Sequence, residues 1–282
     1  MKKICLVGAN GQLGSEIRRL AEEMSYFEVY ATDVVELDVS KAEVIQSFLE
    51  KHQFDFLINC AAYTAVDLAE TEKERNDLIN NLAVKYLAEA CLKQNAFLIH
   101  ISTDFVYDGT KTTPMLETDP TNPLQEYGKS KLKGEQWVND GIVIRTAWLY
   151  SPVGNNFVKT MMRLGAERES LNVVSNQIGT PTSATDLAQA ILTICNDPEV
   201  KSKTGLYLYS NEGTASWYDF AQAIMEYAGL PCKVYPIPDS QYPTPAKRPA
   251  YSVLDKTKIK NTFNIEIPYW RSSLKECIAK IN

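Results

Sequence analysis

Tyr127 and Lys131 stand four residues apart in the string EYGKSK. On a helix that spacing sets a phenol and an amine on one face, able to act on a common point. An isolated phenol, with a pKa of about 10, is a poor proton carrier at neutral pH. A neighbouring ammonium favours the phenolate and brings the group towards its working range. Thr103 follows the apolar run FLIHIS, and its hydroxyl could bond a carbonyl oxygen and steady the charge that develops on it. Many surface helices contain Y-x-x-x-K, so the triad gains meaning only from what lies upstream.

What lies upstream is GANGQLG, with Gly8, Gly11 and Gly14 spaced as G-x-x-G-x-x-G and Asn10, Gln12 and Leu13 between them. Glycine lets a turn bend tightly and lets main-chain N–H groups approach a pyrophosphate, and the helix that follows adds partial positive charge at its start. Asp33 ends the next strand and is suited to the adenosine ribose hydroxyls. Val34 and Val35 follow it, so no adjacent cation awaits a 2′-phosphate, although Arg18 or Arg19 could reach over. That tilts the cofactor towards NADH without forbidding NADPH. Asp38 and Val39 fall where an adenine ring would be flanked. Dinucleotide turn and proton-moving pair together point to nicotinamide redox chemistry.

The elements that must hold these residues alternate. Lys3 to Val7 is a short, continuously apolar run, as expected of a strand covered on both faces. A helix is predicted over Ser15 to Met24, a strand over Val29 to Thr32, and a helix opened by a capping box of Ser40 and Glu43. Further strands are predicted at Phe54 to Ala61, Phe97 to Ser102 and Ile142 to Thr146. The intervening helices fall at Asp77 to Gln94 and around EYGKSKLKGEQW. This alternation predicts an α/β protein, a Rossmann-like doubly wound parallel sheet with a smaller C-terminal substrate-binding lobe. Residues 1–150 with about 177–205 would form the dinucleotide-binding domain, and about 151–176 with 206–282 the lobe. In the latter half, helices are predicted at Ser183 to Cys195 and Ser216 to Tyr227, and a strand at Leu206 to Tyr209. The Pro-rich stretch Pro236 to Pro249 is predicted to be irregular.

Bulk properties narrow the classes. A chain of 282 residues with a net charge of -6 and no long basic run offers no footprint for nucleic acid or for a polybasic membrane contact. Six cysteines are scattered without C-x-x-C, and there are only two histidines, His52 and His100. Neither a disulfide framework nor a His-rich metal site is expected. His100, in an apolar strand near Thr103, reads as a packed strand histidine. The first strand begins almost at once and no apolar run reaches spanning length, so the expectation is a cytoplasmic protein.

With GxxGxxG, a Thr after the fourth strand and YxxxK in place, the chain resembles the extended short-chain dehydrogenases/reductases. More narrowly, GANGQLG, NCAAYTAVDLAE, ISTDFVYDG, YGKSKLKGE, IRTAWLY, NQIGTPT and RPAYSVLD resemble the dTDP-4-dehydrorhamnose reductases, over nearly the whole length. The resemblance implies NADH or NADPH as cofactor and reduction of the C4 ketone of a dTDP-linked 4-keto-6-deoxy sugar, giving dTDP-L-rhamnose. By motif, Tyr127 would donate the proton, Lys131 would hold the nicotinamide ribose and tune Tyr127, and Thr103 would orient the ketone. Gly8, Asn10 to Gly14, Asp33, Asp38, Val39, Ala61, Ala62, Tyr63 and Thr64 would line the cofactor. Val66, Asp104 and Trp148 would face the sugar, with Arg248 as a bidentate clamp for the diphosphate. Trp148 also fits a core position, Asp104 a turn cap, and Arg248 a surface ion pair. Some relatives dimerise around a divalent ion, which leaves room for a homodimer and Mg²⁺, though no ligand cluster marks a site. Three positions depart from the pattern: Phe105 and Tyr107 invert the Tyr/Phe order, Ala147 replaces a more typical Ser, and Asn176 stands where Asp is usual.

Two other readings share the scaffold. A sugar-nucleotide 4,6-dehydratase normally carries Asp-Glu after the Thr, whereas here Asp104 is followed by Phe105. An epimerase would keep its NAD tightly bound. A non-catalytic NAD(P)-binding regulatory subunit, like the partner of methionine adenosyltransferase, would have no need of Thr103, Tyr127 and Lys131 together.

Overall fold

A computed structural model gives the structure of residues 1–281. The first half runs β1 (Lys2–Val7), α1 (Gln12–Glu22), β2 (Phe27–Thr32), α2 (Ala42–Lys51), β3 (Phe56–Asn59) and α3 (Lys73–Asp77). A π-helical turn (Leu78–Leu82) then leads into α4 (Ala83–Gln94), β4 (Phe97–Thr103), α5 (Glu126–Glu135) and β5 (Ile142–Thr146). The second half continues β6 (Leu149–Tyr150), α6 (Phe157–Glu167), β7 (Ser170–Val174), β8 (Ile178–Gly179), β9 (Thr182–Ser183) and α7 (Ala184–Asn196). It closes with β10 (Gly205–Tyr209), β11 (Ala215–Ser216), α8 (Trp217–Ala228), β12 (Lys233–Ile237), α9 (Thr257–Phe263) and α10 (Trp270–Ile281).

Six strands form one parallel sheet in the order β10-β5-β4-β3-β1-β2. The α/β class and parallel sheet expected from the alternation are what the chain forms. Along β1, Ile4 and Leu6 face one side and Cys5 and Val7 the other, the two-residue period of a strand buried on both faces. The first side carries α1, α7 and α9 through Ile17, Ile191 and Phe263. The second carries α2 and α4 through Ile45 and Leu87. All six cysteines are free, and every one except half-buried Cys60 is buried. From β1 the chain builds outward to β2 on one side and then to β3 on the other. The crevice at the carboxyl ends of β1 and β3 is therefore the topological switch point, where ligands of doubly wound sheets bind.

A separate apolar cluster joins β6, α6, β7, α8 and α10 through Tyr150, Val158, Leu171, Phe220, Trp270 and Leu274. The 206–282 stretch is not of one piece, because β10 pairs with β5 at the edge of the main sheet and α9 packs on the same face as α1.

Three local expectations give way. Ser40 does not cap α2: its hydroxyl turns back to Asp38 Oδ1 at 2.6 Å, and the helix starts after Lys41 without a side-chain cap. A true capping box forms instead between Ser216 and Asp219 at the start of α8. Pro236 lies inside β12, not in irregular chain. Among the described residues that strand pairs only with β7, so an imide nitrogen can face the unpaired side at no cost to the ladder. The helix predicted from Asp77 begins earlier, at Lys73, and carries the π turn within it.

One buried ion pair fixes α5 to the sheet. Glu135, at the helix end, takes Arg145 of β5 in a two-point contact, Nε to Oε1 at 2.9 Å and Nη2 to Oε2 at 2.6 Å. Both side chains are more than nine-tenths buried. Ser102 of β4 donates to the same carboxylate, and Arg145 Nη1 donates to the Tyr107 hydroxyl at 2.8 Å. Removing one partner of such a pair leaves the other charge buried alone. Glu135→Ala is expected to cost about 3–5 kcal/mol in urea unfolding; a loss below about 1 kcal/mol would mean the pair does not hold the helix.

Candidate active site

The glycine turn is built by contact with the neighbouring strand ends. Gly8 has φ +77°, a left-handed value that strains any residue with a side chain. A Cβ there would stand 2.7 Å from the Ala61 nitrogen, so the turn after β1 can lie against the end of β3 only with glycine. The amides of Gly8 and Ala9 both reach the Thr32 carbonyl. Gly11 caps α1, which starts at Gln12 and so takes Gln12, Leu13 and Gly14 into its first turn. That turn contains no acidic residue and no capping side chain, leaving its positive end free for an anion. Gln12 also accepts from Asn156 at 3.0 Å, tying the turn to the start of α6. These features suit a dinucleotide pyrophosphate.

Asp33 turns one carboxylate oxygen to the Asn10 amide at 3.0 Å and the other to the Val34 amide at 2.8 Å. Its position at the rim of the turn is therefore fixed. Glu36 Oε2 accepts from the Asp33 amide, and Val34 and Val35 are exposed beside it. Arg19 is occupied by Glu16 and Glu23 along its own helix. Asp38 is bonded to Ser40 first of all, which holds its carboxyl below the usual range, and Val39 is buried next to it.

After β3, the strip Ala61, Ala62, Tyr63 and Thr64 borders the crevice, half-buried apart from exposed Thr64. Asn80 pins it: its Oδ1 accepts from the Tyr63 amide at 2.9 Å while its Nδ2 donates to the Tyr63 carbonyl at 3.0 Å. Asn80 Nδ2 also contacts Asn76 Oδ1 and Ser130 Oγ, and the Ser130 hydroxyl reaches Asn76 Oδ1 at 2.9 Å. Ser130 lies on α5 beside Lys131. A Cβ on Gly134 would stand 2.1 Å from the Asn80 carbonyl oxygen, so α5 docks there by backbone contact. The π turn that presents Asn80 thus aligns this strip with the helix of Tyr127 and Lys131. π turns recur at functional sites for this kind of reason.

Two members of the sequence triad, Thr103 and Tyr127, come together, while Lys131 sits one turn along α5 with its amine turned to β4 and no pull on the phenol. Thr103 ends β4, and its hydroxyl lies close enough to Tyr127 to favour the phenolate. Burial outweighs that contact and pushes the Tyr127 phenol up to about 12, with nearby Asp104 adding to the rise. The Phe105 ring meets Tyr127 edge-on at 5.7 Å. Lys131 is buried, and its Nζ donates to the Ile101 carbonyl of β4 at 2.6 Å and approaches His100 Nε2 at 3.4 Å. Burial lowers the Lys131 amine to about 8, against the opposing pull of Glu135 and Cys60.

Asp104 is buried, and burial raises its carboxyl to about 6 despite a hydrogen bond from Thr103 and the lowering influence of the Ser252 side chain. Among the described residues its Oδ2 has no hydrogen-bond partner. Trp148 adopts φ +48°, a strained conformation for a bulky side chain, and its ring stacks on Trp217 at 3.7 Å and 11°. Val66 is half-buried in the turn beyond Thr64. Arg248 does not stand free: it makes a two-point pair with Asp67, Nη1 to Oδ1 at 2.6 Å and Nη2 to Oδ2 at 2.8 Å. The pair links the Pro-rich stretch to the loop after β3.

Sequence reading missed Asn59, Asn76, Asn80, Ser130, Asp67 and Trp217. The only local signal was a polar pair, Asn80 and Asn81, inside a helix otherwise read as amphipathic. Two departures find partners. Tyr107 is buried with its hydroxyl on Arg145 and the Leu116 carbonyl, and Asn176 exchanges two hydrogen bonds with Asp239 at 2.9 Å each. Aspartate at 176 would have set two carboxylates together. Among the described residues, no three His, Cys, Asp or Glu side chains group to hold a metal ion, and no helix is long and apolar enough to cross a membrane.

The RmlD substrate binding domain family model matches residues 1–282. The chain is 41% identical to a dTDP-4-dehydrorhamnose reductase of Aggregatibacter actinomycetemcomitans, covering 99% of each. Among solved structures it is similar to a dTDP-4-dehydrorhamnose reductase of Clostridium acetobutylicum, with TM-score 0.94, 41% identity and 98% of each chain covered. It is likewise similar to the Bacillus anthracis enzyme of that name in complex with NADP, with TM-score 0.93, 35% identity and 99% of each chain covered.

Asp104 makes a pH-dependent prediction. Its folded carboxyl, near 6, holds a proton more tightly than the unfolded chain near 3.8, so its contribution to stability falls as pH rises through that window. Asp104→Asn carries no charge to bury. Urea unfolding should find it more stable than the parent by on the order of 2–3 kcal/mol at pH 7.5, the gain vanishing at pH 3.5. The same difference at both pH values would show that the carboxyl is not destabilised by burial.

Proposed function

The chain belongs to the RmlD substrate binding domain family, and from that membership we propose that it is an NAD(P)H-dependent dTDP-4-dehydrorhamnose reductase. It reduces the C4 ketone of dTDP-4-dehydro-6-deoxy-L-mannose to the alcohol of dTDP-L-rhamnose. The observation that supports this reading is Thr103 and Tyr127 side by side at the carboxyl end of β4, with Lys131 one turn along α5 and bonded to the same strand. The reduced nicotinamide supplies the hydride. Thr103 orients the ketone oxygen, and Tyr127 gives it a proton as alkoxide charge develops. A phenol held up near 12 is fully protonated at neutral pH, the form a reduction requires. Lys131 holds the ribose and restores the proton of Tyr127.

For the cofactor, Gly8, Gly11, Gly14 and the first turn of α1 bind the pyrophosphate, and Asp33 the adenosine ribose. The preference is for NADH, supported by Asp33 and Glu36 at the strand end, exposed valines beside them and Arg19 tied elsewhere. For the substrate, Val66, Asp104 and Trp148 face the sugar, with residues 151–176 and the C-terminal cluster as the sugar-nucleotide lobe. Arg248 takes the diphosphate by leaving Asp67. Both partners are partly exposed, and a pair of that kind is worth about 1 kcal/mol or less, so a doubly charged diphosphate can displace it. Dehydration is disfavoured because Phe105 occupies the place of a second carboxyl and packs on Tyr127.

Loss of nicotinamide absorbance on adding the keto sugar tests the reaction, and no oxidation with either NADH or NADPH would sink it. Tyr127→Phe should lose most of kcat while cofactor affinity stays nearly intact; near-normal turnover would remove Tyr127 as proton donor. Asp33→Ala should raise the Kd of NADH more than that of NADPH. Since Asp33 also braces the Asn10 amide, equal losses for both would leave it a structural role only.

A further inference from the structure

The Lys131 amine faces a histidine whose protonated nitrogen can be deduced from hydrogen bonds alone. Asn59 ends β3 and is paired in register with His100 of β4, both buried. Asn59 Oδ1 accepts from the Ala61 main-chain N–H at 3.1 Å, a group that can only donate. The amide nitrogen of Asn59 is therefore the atom 3.1 Å from His100 Nδ1, and Nδ1 must accept. The imidazole is neutral, because burial first and Lys131 second drive its pKa well below the ordinary value. A neutral ring with an accepting Nδ1 carries its proton on Nε2. That N–H points at Lys131 Nζ, 3.4 Å away.

We propose that Asn59 and His100 are positioning residues that lock the imidazole tautomer, presenting an N–H instead of a lone pair to Lys131 so that its ammonium releases a proton readily. An ammonium has no lone pair to accept this N–H, whereas an amine does, so the contact favours the deprotonated form. The charged and titratable groups that act on Lys131 besides His100 are Glu135 on α5 and Cys60 beyond β3, and both act in the opposite sense. After each reduction the phenolate of Tyr127 gains a proton as an N–H bond of Lys131 breaks, and water returns a proton to the amine. The lock makes that donor competent near neutral pH.

This deepens the reductase reading, so one arm of the test must not depend on turnover. Only His52 and His100 are present, so ¹⁵N-histidine labelling with a His52→Gln control assigns both rings. In the parent protein at pH 7.5, His100 should be neutral with its proton on Nε2; an Nδ1–H tautomer or an imidazolium would overturn the proposal even in a fully active enzyme. Asn59→Asp supplies one oxygen to the Ala61 N–H and another to Nδ1–H, which turns Nε2 into an acceptor. The high-pH limb of kcat/KM should then move up by at least one unit, with the tautomer switched by NMR. An unmoved limb after that switch would overturn the proposal. So would an equal shift in Asn59→Asp/His100→Phe, where the new charge acts without the ring.

Discussion

The buried pair of Glu135 and Arg145 sets where α5 lies, and nearly every group proposed to do chemistry is referred to that helix. Glu135 is anchored to β5 by Arg145 and to β4 by Ser102, so one end of the helix is fixed to two adjacent strands. Four residues back, Lys131 reaches the β4 carbonyl of Ile101, and another turn back Tyr127 stands beside the end of that strand. Because Arg145 also holds Tyr107, the loop that follows Thr103 is referred to the same point. Position here comes from charges buried together, an arrangement that tolerates little drift because any gap leaves an ion unpaired.

What could be read in advance follows from how local each signal is. The glycine turn, Asp33 and the Tyr127–Lys131 spacing are short-range patterns, and they lie where strand, turn and helix put them. Asn80 carries no such pattern: its partners are Tyr63, Asn76 and Ser130, and two of these are distant in the chain. Ser40 and Ser216 illustrate the same limit. Both stand three residues before an acidic side chain, yet Asp38 captures the hydroxyl of the first, and only the second caps a helix. Arg248 was readable as a cation in a Pro-rich stretch, but its pairing with Asp67 depends on two loops meeting. The placement of β10 in the main sheet likewise had no local mark, since an edge strand and a lobe strand look alike in sequence.

The cleft is electrostatically quiet. Burial raises Tyr127 and Asp104 and lowers Lys131, each towards its uncharged form. On the proposed reading, a neutral ketone would enter surroundings where little charge has to be desolvated, and the field would change most as alkoxide forms. Asp104 beside Tyr127 keeps an oxygen without a partner among the described residues, and Trp148 holds a left-handed backbone. Each is a local cost borne within an otherwise well-bonded fold.

The π turn at Leu78–Leu82 has a consequence for how the gene can vary. Such a turn amounts to one surplus residue in a regular helix, so a single-codon deletion there would yield a smoother helix with better backbone hydrogen bonding. It would also swivel Lys73–Asp77 by about 100° about the axis relative to α4, carrying Asn76 away from Ser130. Helical regularity and the alignment of α5 are thus mutually exclusive at this spot, and length there is constrained more tightly than residue type.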